Sequence, residues 1–178
     1  MTTLLNATVQ SALLDDIIAH PEDDGLRLIY ADLIEEQGDV DRAAFIRLQC
    51  EIARTGLAPI SGFMAPEWYR DLNRREQEQV ELHGDSWTLP LARAVSCPET
   101  PLQWDPIRGE EFHETRRYHY VYSRQGLDET GNLRITCIFH RGFVEELRLS
   151  AEDWVEYGND LRKLTPLRKV NLTTGFYG

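Results

Sequence analysis

Apolar residues recur three and four positions apart through the first third of the chain and at every second position over much of its last third. The first pattern predicts helices and the second strands. Leu13, Leu14, Ile17 and Ile18 form a helical stripe that ends at His20 and Pro21. A second helix opens on Glu22, Asp23 and Asp24, whose charges suit the positive end of a helix dipole, and carries Leu26, Ile29, Tyr30, Leu33 and Ile34 inward. Gly38 is its left-handed stop. Asp39 or Asp41 caps a third helix with Phe45, Ile46, Leu48 and Ile52 on its inner face, ending at Thr55 and Gly56.

Glycines and prolines over 56–66 predict a surface loop. A fourth helix is expected from Glu67 to His83, closed by Gly84, with a narrow buried face through Trp68, Leu72 and Val80. From Trp87 to Gly109 four prolines predict little regular structure. Beyond Phe112 the period of two takes over, and Tyr118, Tyr120 and Tyr122, then Leu133, Ile135, Cys137 and Phe139, predict an antiparallel hairpin. A further strand is expected from Phe143 to Leu149. The spacing of Val144, Leu147 and Leu149 is echoed by Leu167, Val170 and Leu172, each 23 positions later. That period lies within the range of leucine-rich repeats, which alternate a strand with a helix or helical turn. Ser150, with Asp153 three residues on, predicts the intervening helix, carrying Trp154, Val155, Tyr157 and Leu161 inward. Two such units are too few for a free-standing solenoid and must lean on other parts of the chain.

These elements make an α+β fold, an N-terminal helical module packed with a C-terminal sheet that ends in leucine-rich-repeat-like strand-helix units. The expected division is a helical module over 1–56, a fourth helix and proline-rich connection over 57–110, and the hairpin and repeat-like units over 111–178, together one compact domain.

The run Arg27, Tyr30, Ala31, Asp32, Glu35, Glu36, Gly38 and Asp39, followed by Phe45, Ile46, Arg47, Leu48 and Gln49, resembles the signature of the bacterial repeat-companion domain. The resemblance covers about Leu13 to Ala53 and continues more loosely at His83–Trp87, at Arg141–Val144 and at Thr165–Leu167. Leu33 departs from it where such proteins often have tryptophan, and no long repeat array follows. The resemblance implies a helical module accompanying leucine-rich-type repeats in an interaction or scaffold protein. It supplies no catalytic residue.

The 178-residue chain carries 30 acidic and 19 basic residues, a formal charge of −11. Such a charge disfavours direct binding to a phosphate backbone and suits a basic partner, or an acidic inhibitor or accessory factor of a nucleic-acid enzyme. No apolar run reaches membrane-spanning length and no signal-peptide pattern opens the chain, so the expected location is the cytoplasm, with no membrane partner. Cys50, Cys97 and Cys137 are widely spaced and predict reduced, buried thiols.

Asp32 and Glu36 stand four apart on one helix face, which admits a metal-dependent hydrolase. The plainer reading is that Arg27, Tyr30, Asp32, Glu36 and Arg47 form a structural polar cluster, the acids accepting from Arg27, Arg42 or Arg47. Cys137 and His140 have a Cys-x-x-His spacing, but in an extended strand they point to opposite faces. No phosphate-binding glycine loop and no nucleophile elbow is present, so neither a metal nor a cofactor is expected. The expected function is non-catalytic protein recognition, with Trp104, Tyr118, Tyr120 and Tyr122 as interface candidates because aromatic residues dominate binding hot spots. A partner protein, or self-association through a sheet edge, follows from the same reading.

Overall fold

A computed structural model describes residues 2–56, 66–94, 102–105, 119–124 and 134–173. It is a mixed α+β protein in which helices and one sheet divide into two compact units, residues 1–79 with 140–143, and residues 80–139 with 144–178.

The first unit is built on α1 (Thr2–Ala19), α2 (Asp24–Glu36), α3 (Val40–Arg54) and the first half of α4 (Glu67–Ala94). Short polar residues start and stop these helices. Asp23, just outside α2, accepts from the Gly25 amide at 2.7 Å, so that helix begins two residues later than its acidic run suggests. Gly38 adopts φ +97° and turns the chain into α3, where Asp39 accepts from the Arg42 amide. The core gathers Ile17, Tyr30, Ala31, Ile34, Ala43, Ile46, Cys50 and Phe143, with Leu13, Leu14 and Leu26 packed against it. Phe143 comes from the far end of the sequence. On α2 the expected inward face is narrower than the apolar pattern, since Ile29 is exposed. On α4 Trp68 is likewise exposed, and Tyr69, together with Leu72, is buried in its place.

The second unit holds a five-stranded sheet in the order β1-β2-β3-β4-β5, with β1 Leu102–Asp105, β2 His119–Arg124, β3 Arg134–His140, β4 Phe143–Ser150 and β5 Lys169–Thr173. β1 and β3 each pair antiparallel with β2, and β5 runs parallel to β4 across α5 (Ala151–Leu164). A parallel pair requires such a crossover. The parallel register sets Leu147 opposite Val170 and Leu149 opposite Leu172, so the 23-residue echo in the sequence is the register of the pair itself. Ser150 caps α5 by accepting from the Asp153 amide at 3.0 Å. At the other end of α5 the buried Thr165 hydroxyl donates to the Val144 carbonyl at 2.6 Å.

Two stretches expected to be irregular are ordered. α4 does not end at Gly84 but continues to Ala94 through Pro90. Its inner stripe in the second unit is Val80, Gly84, Thr88 and Leu91, all buried and spaced as helix neighbours. Gly84 therefore serves as a small packing residue within the helix, and the Thr88 hydroxyl donates to its carbonyl at 2.7 Å. β1 occupies the four residues between Pro101 and Pro106, and its pairing with β2 supplies the ladder that an isolated tetrapeptide lacks. Prolines are tolerated beside such an edge strand.

On α5, Leu161 is fully buried whereas Val155 is 85% exposed, which corrects the expectation that both face inward. Trp154 lies under the Arg162 guanidinium, 4.8 Å from the ring centroid. Urea unfolding should resolve this asymmetry: Leu161→Ala is expected to cost about 2–5 kcal/mol by leaving a cavity, while Val155→Ala stays within about 0.5 kcal/mol of wild type, as surface changes do.

Candidate functional site

The densest set of polar contacts lies in the first unit, around a turn of four residues, His140 to Phe143. Arg141 and Gly142 have φ of +48° and +87°. Positive φ at both central residues is the requirement of a type I′ hairpin turn. Arg27, a residue of α2 with no exposed surface, reaches this turn with a planar fork of donors. Its Nη1 donates to the Arg141 carbonyl at 3.1 Å and to the His140 carbonyl at 3.5 Å, and its Nη2 donates to the Pro21 carbonyl at 2.7 Å. Gln49, buried on α3, accepts from the Gly142 amide at 2.6 Å through Oε1 and donates through Nε2 to Glu76 at 2.6 Å.

The aromatic side chain of the turn is held just as closely. The Phe143 ring meets Tyr30 edge to face with centroids 5.4 Å apart, and the guanidinium carbons of Arg27 and Arg42 lie 5.3 Å and 5.5 Å from its centroid. The electron-rich face of an aromatic ring attracts such cations. The Nη1 of Arg42 is buried, and desolvation brings its pKa down to about 10, which still leaves it charged at neutral pH. The Tyr30 hydroxyl accepts from Gln10 at 3.0 Å. Arg141 itself turns back to Glu22, at 2.9 Å, and lies 3.7 Å from Asp24. Asp24 also faces Arg54 at 3.6 Å.

A second, separate cluster lies at the surface of α2 and α3. Arg47 donates to Asp32 at 2.7 Å and, with both terminal nitrogens, to Glu35 at 2.7 and 3.1 Å. The hydrogen bond from Arg47 is the main reason Glu35 ionises below its usual carboxylate value. The expected polar cluster of Arg27, Tyr30, Asp32, Glu36 and Arg47 is thus two clusters. Arg27 and Tyr30 serve the buried turn, and Arg47 binds Asp32. The acid that completes the surface pair is Glu35, while Glu36 is exposed near the end of α2. Arg27 donates to the carbonyls of Pro21, His140 and Arg141. Two of these partners are backbone atoms more than a hundred residues away, and such partners leave no trace in residue pattern.

Of the interface candidates, Trp104 and Tyr122 are register partners in β1 and β2, and Tyr120 is the register partner of Cys137 in β3. Tyr118 lies outside the described residues, as does Cys97. Cys50 and Cys137 are free and buried, and burial pushes their thiols up to about 11 and about 12. Thiols held so far from ionisation are poor nucleophiles at neutral pH. Among the described residues no three His, Cys, Asp or Glu side chains gather as a cation site, and no helix is long and apolar enough to cross a membrane.

In comparison with known proteins, the chain matches no protein-family model, no curated protein and no solved structure.

The two arginines should separate cleanly under mutation. Removing Arg27 takes the donor from three part-buried carbonyls, worth up to about 1–3 kcal/mol each, so Arg27→Ala is expected to lower the denaturation midpoint. Arg27→Lys should not restore it, because a single ammonium cannot reproduce the fork. Arg47→Ala should leave the midpoint at neutral pH nearly unchanged, as exposed pairs contribute little. It should, however, alter the acid limb of the stability curve. The pKa of Glu35 is lower in the folded state than its ordinary 4.5, so the unfolded chain takes up the proton first as pH falls. The contribution is present above about pH 4.5 and is lost as pH falls through the folded value, so acid titrations at low salt should show a shallower loss in Arg47→Ala than in wild type.

Proposed function

We propose that this chain is a non-catalytic protein-recognition or scaffold module that uses the outer edge of β5 to pair with an extended or repeat-like segment of a partner protein. The observation that carries this reading is the parallel β4-α5-β5 unit, whose register repeats the 23-residue echo of the sequence and whose last strand ends the sheet order. A strand-helix unit of this kind buries its face only against a neighbour on each side. β4 supplies one neighbour to β5. The other side of β5 is the place where a further leucine-rich-type unit would stack, or where a strand from a partner would add by main-chain hydrogen bonds.

The side chains of β5 fit that role. Leu172 is half exposed, and Lys169 and Asn171 are tied back to Glu146 on β4, at 3.0 Å in the case of the lysine. The charge that often guards an edge strand is therefore occupied on the side toward β4. Burial of Leu161 and of Leu147 and Leu149 beneath the unit gives the strand a firm base.

The test is capture of partners on the tagged full chain from its native cell, in parallel with Leu172→Lys, which places a charge on the outer strand. The expected result is a stoichiometric protein that survives a salt wash on wild type and is lost from Leu172→Lys, with both proteins equally folded by circular dichroism. Equal retention by the two would remove the β5 edge from the interface.

A further inference from the structure

We propose that the partner segment taken by the outer edge of β5 is acidic where it meets the start of that strand. Two consecutive Asp or Glu residues stand beside Arg168 and Lys169, and alternate apolar residues follow beside Val170 and Leu172, the segment running parallel to β5. This deepens the reading of β5 as an interface and rests on it.

The inner side of β5 is paired in this way already. β4 supplies Glu145, Glu146, Leu147, Arg148 and Leu149, and β5, with the residue before it, supplies Arg168, Lys169, Val170, Asn171 and Leu172. Glu146 stands opposite Lys169, Leu147 opposite Val170 and Leu149 opposite Leu172. One position earlier, the Arg168 amide donates to the Glu145 carbonyl at 2.7 Å and the guanidinium lies 3.5 Å from the Glu145 carboxylate. Opposite charges facing each other across neighbouring strands stabilise a sheet, and like charges there oppose it. Successive side chains point to opposite faces, so the two cations are presented one on each face at the start of the strand.

The acids of β4 are enclosed and the cations are not. The side chains of Glu145 and Glu146 are 4% and 12% exposed, against 42% and 62% for Arg168 and Lys169. An ammonium has three donors, so the contact of Lys169 with Glu146 at 3.0 Å does not exhaust it. From Leu161 to Thr173 the chain holds four basic residues and no acidic one, with Arg162 and Lys163 in the last turn of α5. The charge of the whole chain, −11, suits a basic partner. At physiological ionic strength, however, exposed charges are screened beyond about 8 Å, so the cations within reach decide what β5 accepts. Val170 and the half-exposed Leu172 carry the apolar face of Leu147 and Leu149 out to the edge. A lysine on an edge strand discourages pairing with neutral strands, and here it selects an acidic one.

The probe is a fluorescently labelled peptide with the sequence of residues 143–150, which copies the strand that β5 already accepts on its inner side. It is titrated with the full chain at physiological ionic strength and read by anisotropy. Two variants accompany it, one carrying Glu145→Gln and Glu146→Gln, the other methylated at its backbone nitrogens, which removes the donors a strand uses to add to an edge. The expected result is saturable binding of the acidic peptide, binding of the glutamine peptide weaker by about fivefold or more, and none of the methylated peptide. In the full chain with Lys169→Gln, shown to be folded by circular dichroism, the difference between the first two peptides is expected to narrow. Equal binding of the acidic and glutamine peptides, both abolished by methylation, overturns the acidic preference and leaves the β5 edge in place. Undiminished binding of the methylated peptide removes the edge itself. Absence of binding by the acidic peptide, or a preference that Lys169→Gln leaves unchanged, also overturns the proposal.

Discussion

The guanidinium of Arg27 is the constraint on which the first unit depends. Burying a charge in a protein interior is costly unless hydrogen bonds replace its water. Here the replacement is the carbonyls of Pro21, His140 and Arg141, at 2.7–3.5 Å. Pro21 lies in the link that leads into α2, and the other two lie in a turn far along the sequence. One side chain thereby fixes the entry to its own helix and the position of a distant loop. The same cation stands over the Phe143 ring, so its charge is balanced by an aromatic face as well as by oxygen lone pairs. Moving it by an ångström would disturb all of these at once.

The rest of the unit is consistent with that anchor. Because the carbonyls of the turn point at Arg27, its one glycine amide needs an acceptor, and Gln49 supplies it while its own amide nitrogen is occupied by Glu76. A buried glutamine satisfied at both ends is a polar group with little freedom to move. The close approach of Gly142 to Ile46 adds a packing demand for glycine to the conformational one of such turns. The glycine is demanded by packing as well as by φ, and the arginine ahead of it accepts a φ of +48° because its side chain is drawn back to Glu22. Cys50, in the same core, has no polar role: burial raises its pKa and it packs as a small apolar residue.

Much of this architecture was legible in residue pattern and some of it was not. The second and third helices, the Asp39 cap and the Gly38 stop follow from local rules, and the structure places them within a residue or two, whereas α1 begins at Thr2, well ahead of the apolar stripe that predicts it. The parallel register of β4 and β5 was present as a repeat offset of 23. The extension of α4 was hidden because its inner stripe passes through Gly84 and Thr88, which do not count as apolar, and because glycine and proline usually mark helix ends. β1 was hidden among prolines, since pairing rather than propensity creates it. At the site, the residue types were visible but their partners were not. Arg27 and Tyr30 belonged to the expected polar cluster and Gln49 did not, and Arg27 and Gln49 bind backbone atoms of the turn, whose position no side-chain pattern records. Glu35 in place of Glu36 as the acid on Arg47 is a smaller correction with a geometric cause, since neighbouring helix positions differ by about 100° in direction and only one can face α3.

The polar residues of α2 and α3 have structural partners within the first unit. Asp32 and Glu35 are neutralised by Arg47, whose bidentate grip holds Glu35 ionised below its usual range. A carboxylate kept ionised in this way is a weak base, the reverse of a general base poised near neutrality. Arg27 donates to main-chain carbonyls, and Gln49 accepts from a main-chain amide while it donates to Glu76. Main-chain hydrogen bonds from Arg27 and to Gln49, the exclusion of a side chain at Gly142 and the cations beside the Phe143 ring together fix one position for the turn in the first unit.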